Sequence, residues 1–105
     1  MKSERERMHE RHVGKYTDIL FAILCRKDPD NGTNYFLKLQ GIAREQHYGT
    51  RGIMLDSYEA GIQVQRTVKE FAAQCLKDGS DPAGFKPREI FERVEPILLE
   101  RLGKL

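Results

Sequence analysis

Cysteine is scarce in this sequence, and long apolar runs are missing from it. The 105 residues include two cysteines, Cys25 and Cys75, so neither a CxxC pair nor zinc-site spacing is present. The longest uncharged run, residues 19–25, is far shorter than the roughly 20 residues of a membrane-spanning helix. No GxGxxG or GxxxxGK phosphate loop occurs. The sequence therefore predicts no cofactor and no membrane span, and the cysteines, each on an apolar helical face, are expected to be buried free thiols.

A strong charge of either sign is also missing. The net charge is +2, and glutamates interleave with the arginines, so the composition permits nucleic acid as a partner without indicating it. The charged start, residues 1–12, has no apolar signal core, and its acidic residues argue against a transit peptide. We expect a cytoplasmic protein, or a nuclear one in a eukaryote.

The length suits one domain, residues 1–105, with a modest core. Leu, Ile, Val and Phe make up about a quarter of the chain, which is enough to predict a folded core. Turn-forming residues concentrate at 28–33, 47–52 and 78–87, and these three breaks leave four helical segments. The predicted fold is an all-α, four-helix small bundle.

The first three segments differ in length and polarity. Residues 3–27 repeat apolar side chains at steps of three and four, but their first third is polar, so we expect residues 1–12 to project or to lie on a partner. Residues 34–47 form a short second helix. Residues 53–77 form a long third helix of about 37 Å, which the other helices are not expected to cover completely. A partner chain along it, most simply a second copy, would complete the packing.

Proline and glycine give the last segment its expected shape. Pro87 occupies a preferred first helical position, Pro96 is expected to kink or break the helix, and Gly103 ends it. Gly14, Gly41 and Gly61 fall inside predicted helices, where each costs about 1 kcal/mol relative to alanine. Close helix crossing is the first interpretation of these three glycines. The alternative is a ligand that lies against bare backbone.

The stretch KDPDNGTNY, residues 27–35, contains the residue types of a calcium loop in the wrong register. Counted from Asp28, glycine falls at the fifth position instead of the sixth, and Leu39 stands where a bidentate glutamate is required. The stretch is therefore predicted to be a helix connector in which Thr33 or Asn34 caps the next helix. No metal site is expected.

The segment RMHERH resembles the Arg-x(4-6)-His motif of HEPN-type ribonucleases, which are small helical dimers. The resemblance rests on Arg7 and His12. It implies that the arginine holds the scissile phosphate and the histidine moves a proton. His9 and His12, one helical turn apart, would also suit a metal if His47 or Cys25 joined them. The polar surroundings favour a solvated helix, so we assign no catalytic residue and favour a protein that is not an enzyme, with a HEPN-like ribonuclease as a further alternative function.

In the segment LQGIAREQHYGTRGIMLDSY, residues 39–58, two predicted helices meet at a short glycine-containing turn, as in a helix-turn-helix. Ala43 suits the small-residue position, but His47 stands where the turn glycine belongs. A slipped turn at Gly49 would place Arg51 at a helix start facing phosphate. A long central helix followed by a loop and a short apolar helix is also similar to a histone fold. A DNA-binding regulator is therefore the alternative function.

The function predicted first is a small binding, assembly or regulatory subunit that acts through helix packing. Its expected partner is a second copy or another protein, with the long third helix at the interface. Arginine and aromatic side chains carry much of the energy of protein interfaces. On that basis the predicted contact residues are Arg7, Arg11, Lys15, Arg44, Tyr48 and Arg51.

Overall fold

The chain folds into four α-helices in a computed structural model that describes residues 1–52 and 54–105, without the side chains of His47, Thr50 and Arg51. No strand occurs in these ranges, so the predicted all-α fold is confirmed. A short 3₁₀ turn, Pro82–Gly84, precedes the last helix. The helices are α1 (Glu4–Leu24), α2 (Tyr35–Arg51), α3 (Ser57–Asp78) and α4 (Pro87–Gly103).

Side-chain caps begin the first three helices. The Asn34 side chain accepts a hydrogen bond of 3.2 Å from the backbone N–H of Leu37, which confirms the predicted cap of α2. Ser3 and Asp56 cap α1 and α3 in the same way. At the other end of α3, Gly79 adopts a left-handed conformation with φ of 73°, which glycine accepts without steric cost. These local signals explain most of the helix boundaries.

The helices form a flat body of 43 × 39 × 20 Å with α3 at its centre. α3 packs against the other three helices, α2 also packs on α4, and α1 also contacts α4 and the 3₁₀ turn. A thickness of 20 Å corresponds to two layers of helices spaced 8–10 Å apart. The completely buried apolar side chains are Leu20, Leu24, Leu39, Ala43, Ala60, Val64, Val68, Ala72, Ile90, Val94 and Leu98.

The second helix is longer than predicted, and the expected break at 47–52 is wrong. α2 continues to Arg51, and Gly52, with φ of 74°, ends it. An isolated glycine such as Gly49 lowers helix propensity by about 1 kcal/mol, which a folded helix tolerates. The third helix therefore begins later than predicted, at Ser57.

The apolar face of α3 is covered within the chain, contrary to our expectation. α3 has 22 residues and lies between three helices, so Val64, Val68 and Ala72 are all completely buried. Its exposed side chains in the described ranges are polar, except for Tyr58 near its start. The length of α3 consequently provides no argument for a partner chain along it.

Of the two outcomes expected at Pro96, a kink or a break, the break does not occur. α4 runs without interruption from Pro87 to Gly103, so Pro96 does not divide it into two helices.

The glycines inside helices do not mark close helix crossings. A Cβ atom added at Gly14 or Gly41 would meet no heavy atom of the described residues within 4 Å. At Gly61 it would make only an ordinary contact of 3.5 Å with the Gln40 side chain. The helix-crossing interpretation of these glycines is therefore wrong.

The connector between α1 and α2 is held by its own polar groups. The Asp28 carboxylate, which is buried, accepts a hydrogen bond of 2.8 Å from the backbone N–H of Asp30. The Asp28 N–H in turn donates to the Thr33 carbonyl at 2.9 Å. The segment is a helix connector, as predicted. In the ranges the structure covers, none of the helices has both the length and the apolar character needed to cross a bilayer.

Candidate interaction surfaces

The outward face of α2 exposes large apolar side chains. Leu37 is 59% exposed and Tyr48 is 56% exposed, whereas Leu39 and Ala43 on the opposite face are completely buried. At about 100° per residue, Leu37, Gly41 and Tyr48 point within about 40° of one another. We call the face formed by Leu37, Gly41 and Tyr48 the α2 surface.

The Arg44 side chain of α2 contacts residues at the start of α3. Its Nη1 donates to the Ser57 hydroxyl at 3.4 Å, and its Nη2 approaches the Met54 sulfur at 3.3 Å. The neighbouring Gln40 amide donates to the Ser57 carbonyl at 2.7 Å. Arg44 is half-buried, and its Nε lacks an acceptor among the described residues. Arg44 therefore lies within a helix, with its guanidinium engaged by its own chain.

The predicted contact residues fall on two separate helices. Arg7, Arg11 and Lys15 are exposed at steps of four along α1, whereas Arg44 and Tyr48 belong to α2. Arg51 is the last residue of α2, and its side chain lies outside the described part. The structure therefore does not gather these six residues into one site, and their role in partner binding stays a prediction.

A groove runs between α1 and α3. It consists of two adjoining recesses of about 430 and 440 Å³, and Arg66 and Lys69 of α3 line both of them. The first recess is completed by His9, Glu10, Val13, Glu70, Ala73 and Arg101, and the second by Thr17, Asp18, Phe21 and Gln65. We call the two recesses together the α1–α3 groove.

The acidic residues of the first recess are already paired with basic ones. Glu70 accepts a hydrogen bond of 3.0 Å from Arg101, and Glu10 accepts one from the Lys2 ammonium. The hydrogen bond from Lys2 lowers the pKa of the Glu10 carboxyl; desolvation opposes this effect, and the charges of Lys2, Lys69 and His9 lower the pKa further. Lys69 forms no ion pair in the described part of the chain. The cations that line the first recess, Arg66, Lys69 and Arg101, therefore outnumber its two carboxylates.

Sequence reasoning missed the α1–α3 groove and found only Tyr48 of the α2 surface. Arg66 and Lys69 are two of several cations on the polar side of α3, and nothing in the sequence shows that α1 packs beside them. Leu37 offered a clearer signal, because it is out of phase with the buried positions Tyr35 and Leu39 on the same helix. An apolar residue on the polar face of a helix was the clue.

The residues proposed for chemistry are not brought together. Arg7 and His12 are five residues apart on α1, so their side chains point about 140° apart around the helix. Among the described residues, no group of three or more His, Cys, Asp or Glu side chains is arranged to hold a metal ion. The slipped helix-turn-helix is wrong, since residues 49–51 belong to α2 and do not begin a new helix.

The two thiols are free, as predicted, but the expected burial is wrong for Cys25. Cys25 is exposed just after α1, and Cys75 is buried on α3. Burial raises the pKa of the Cys75 thiol, Asp78 raises it further, and Arg93 acts in the opposite direction. A buried thiol with a raised pKa is a poor nucleophile. Cys75 is therefore a core residue.

The fold and these surfaces define a small all-α bundle. Comparison with known proteins finds no matching family model, curated protein or solved structure. The function has to be inferred from the surfaces of the molecule.

Proposed function

We propose that the protein is a small helical assembly subunit that pairs with a second copy of itself through the α2 surface. The observation that carries the proposal is the exposure of Leu37 and Tyr48 on one face of α2, on either side of Gly41. Large apolar side chains in this arrangement lose unfavourable contact with water when a partner covers them.

The α2 surface is complementary to itself. In an antiparallel pair of α2 helices related by a twofold axis between Ile42 and Ala43, Leu37 lies opposite the partner's Tyr48. The same axis brings the partner's Leu37 to Tyr48, so one contact is made twice. Such self-complementarity is the requirement of a twofold symmetric interface.

Charge supports the same arrangement. Lys38 and Glu45 lie on one flank of α2, within about 20° of each other around the helix. In the antiparallel pair, Lys38 and the partner's Glu45 lie on the same flank, offset by two residues or about 3 Å along the helix axis, which their long side chains can span. In the single chain the Lys38 ammonium lies 4.9 Å from the centre of the Phe91 ring, a contact that it would exchange for the partner's Glu45. These contacts also favour the antiparallel orientation over a parallel one.

Gly41 has a physical role in this interface. It costs stability within α2, and no neighbour in the described part of the chain requires the missing side chain. At the centre of the paired helices, bare backbone lets the two axes approach closely. The partner's Arg44 backbone lies opposite it in the proposed register.

The test is the native mass by light scattering behind a sizing column, over a range of protein and salt concentrations. We expect a dimer of twice 12.2 kDa at high protein concentration, because an apolar interface resists salt. Leu37→Glu and Tyr48→Glu should each give a folded monomer by circular dichroism. Leu99→Glu is the matched control, because Leu99 is an exposed leucine on α4, outside the interface. A wild-type monomer at about 100 μM, ten times a 10 μM dissociation constant, would overturn the proposal.

A further inference from the structure

The α1–α3 groove has no role in this assembly, and its chemistry suits a different kind of partner. We infer that the groove binds a small organic anion of the phosphate monoester class. Its phosphate lies between Arg66 and Lys69, and its apolar part lies over Val13 and Ala73. The α2 surface takes no part in this site, so either proposal can fail without the other.

The charge of the groove selects an anion. Arg66 and Lys69 are exposed, three residues apart on the same side of α3, and line both recesses. Neither forms an ion pair in the described ranges, whereas Glu10 and Glu70 are paired with Lys2 and Arg101. Two unpaired cations match the charge of a phosphate monoester, which is close to −2 at neutral pH. The arginine guanidinium also offers a fork of N–H donors to phosphate oxygens.

The shape of the groove selects a small molecule. Each recess is within the usual volume of ligand sites, about 300–1,000 Å³, and the first has an apolar floor in the buried Val13 and half-buried Ala73. Asp18 lines the second recess and has no ion pair with any described residue. Its carboxylate would repel a second phosphate there. A continuous nucleic acid strand is therefore disfavoured relative to a ligand with one anionic group.

Gly14 adds a separate observation. It follows Glu10 by four residues and precedes Asp18 by four, so it lies on the side of α1 that borders the groove. A Cβ atom at Gly14 would contact no described residue, so the fold does not require glycine at this position. Gly14 does not itself line either recess, but its missing side chain leaves free space beside them. In the proposed complex the ligand would lie close to this bare helix backbone.

The test titrates phenyl phosphate into the full chain. Binding is monitored through the NMR chemical shifts of the backbone amides. We expect saturable shifts centred on residues of the groove, and none with the neutral analogue benzyl alcohol. Arg66→Gln and Lys69→Gln should each weaken binding about tenfold, since each variant loses a charge-assisted hydrogen bond to the phosphate. Lys77→Gln is the matched control on α3, because Lys77 is exposed and does not line either recess.

A second variant separates binding from folding. Gly14→Leu should raise helix stability and at the same time weaken phenyl phosphate binding, because the new side chain enters the groove. Chemical shifts that never saturate, or an equal loss of phenyl phosphate binding in Lys77→Gln, would mean that the anion is attracted only by diffuse positive charge. Either result would overturn the proposal. Binding of a short single-stranded oligonucleotide in the groove without binding of phenyl phosphate would overturn it in favour of a polyanion.

Discussion

α2 and α3 are both amphipathic helices, yet the bundle uses them differently. α3 has buried residues along most of its length, from Ala60 to Cys75, because three helices surround it. In α2, the last buried residue among those with described side chains is Ala43, and the helix continues to Arg51. The number of neighbours, and not the amphipathic pattern, decides how much of each helix is covered. The difference leaves two large apolar side chains, Leu37 and Tyr48, exposed on one face of α2.

The strongest test of this comparison uses two leucines of α2. Leu39→Ala should lower the free energy of unfolding by about 2–5 kcal/mol, because Leu39 is completely buried and its removal leaves a cavity. Leu37→Ala should change the stability of the monomer by no more than about 0.5 kcal/mol. Urea unfolding followed by circular dichroism, at a concentration below dimer formation, measures both. Equal losses would mean that the outward face of α2 is packed in solution.

The reaction rates of the two thiols compare the interior of α3 with the surface of the molecule. At pH 8, Cys75 should react with a thiol reagent at least tenfold more slowly than Cys25, since Cys75 is buried and Cys25 is exposed. Desolvation raises the pKa of both thiols, so the prediction rests on the difference in accessibility. Because thiolate increases with pH, the reaction of Cys75 should continue to accelerate as the pH rises toward its raised pKa. In denaturing urea the two rates should converge. Fast reaction of Cys75 in native buffer would contradict the central position of α3.

The start of α2 depends on a single side chain. Asn34→Ala should lower the free energy of unfolding by about 1 kcal/mol, because the Leu37 N–H loses its acceptor. Asn34→Asp is the control, since aspartate supplies an equivalent oxygen and should retain most of the stability. Thermal unfolding of the three proteins side by side measures the difference. If both variants lost the same amount, the contact of the Asn34 amide with the Cys25 carbonyl would be the more important one.

The smallest effects come from the glycines. Gly41→Ala should raise the free energy of unfolding of the monomer by about 0.5–1 kcal/mol, because the new methyl group meets no described residue. Gly79→Ala should lower it by a similar amount, since Gly79 has φ of 73°. Gly41→Ala should also weaken the proposed dimer, which light scattering would show. If Gly41→Ala stabilised the monomer and left dimer formation unchanged, Gly41 would not lie at the centre of the interface.

Much of the fold was predictable because its signals are local. Asn34 caps α2, Pro87 begins α4, and Gly79 closes α3, and each acts through its own backbone and immediate neighbours. The expected break at 47–52 failed because the tolerance of a helix for Gly49 depends on the structure around it. Of the candidate surfaces, Tyr48 was chosen from the sequence, whereas Arg66 and Lys69 were not.

By itself, the sequence determined the all-α class, the number of helices, and most of their ends, because helical periodicity and capping are encoded in neighbouring residues. Only the tertiary structure decided that α3 lies at the centre and that the Arg44 guanidinium contacts Ser57 and Met54. It also decided that α1 and α3 line a groove with basic side chains. These features depend on which helix faces lie side by side. That choice minimises the exposed apolar area of the whole chain, and no single segment carries it.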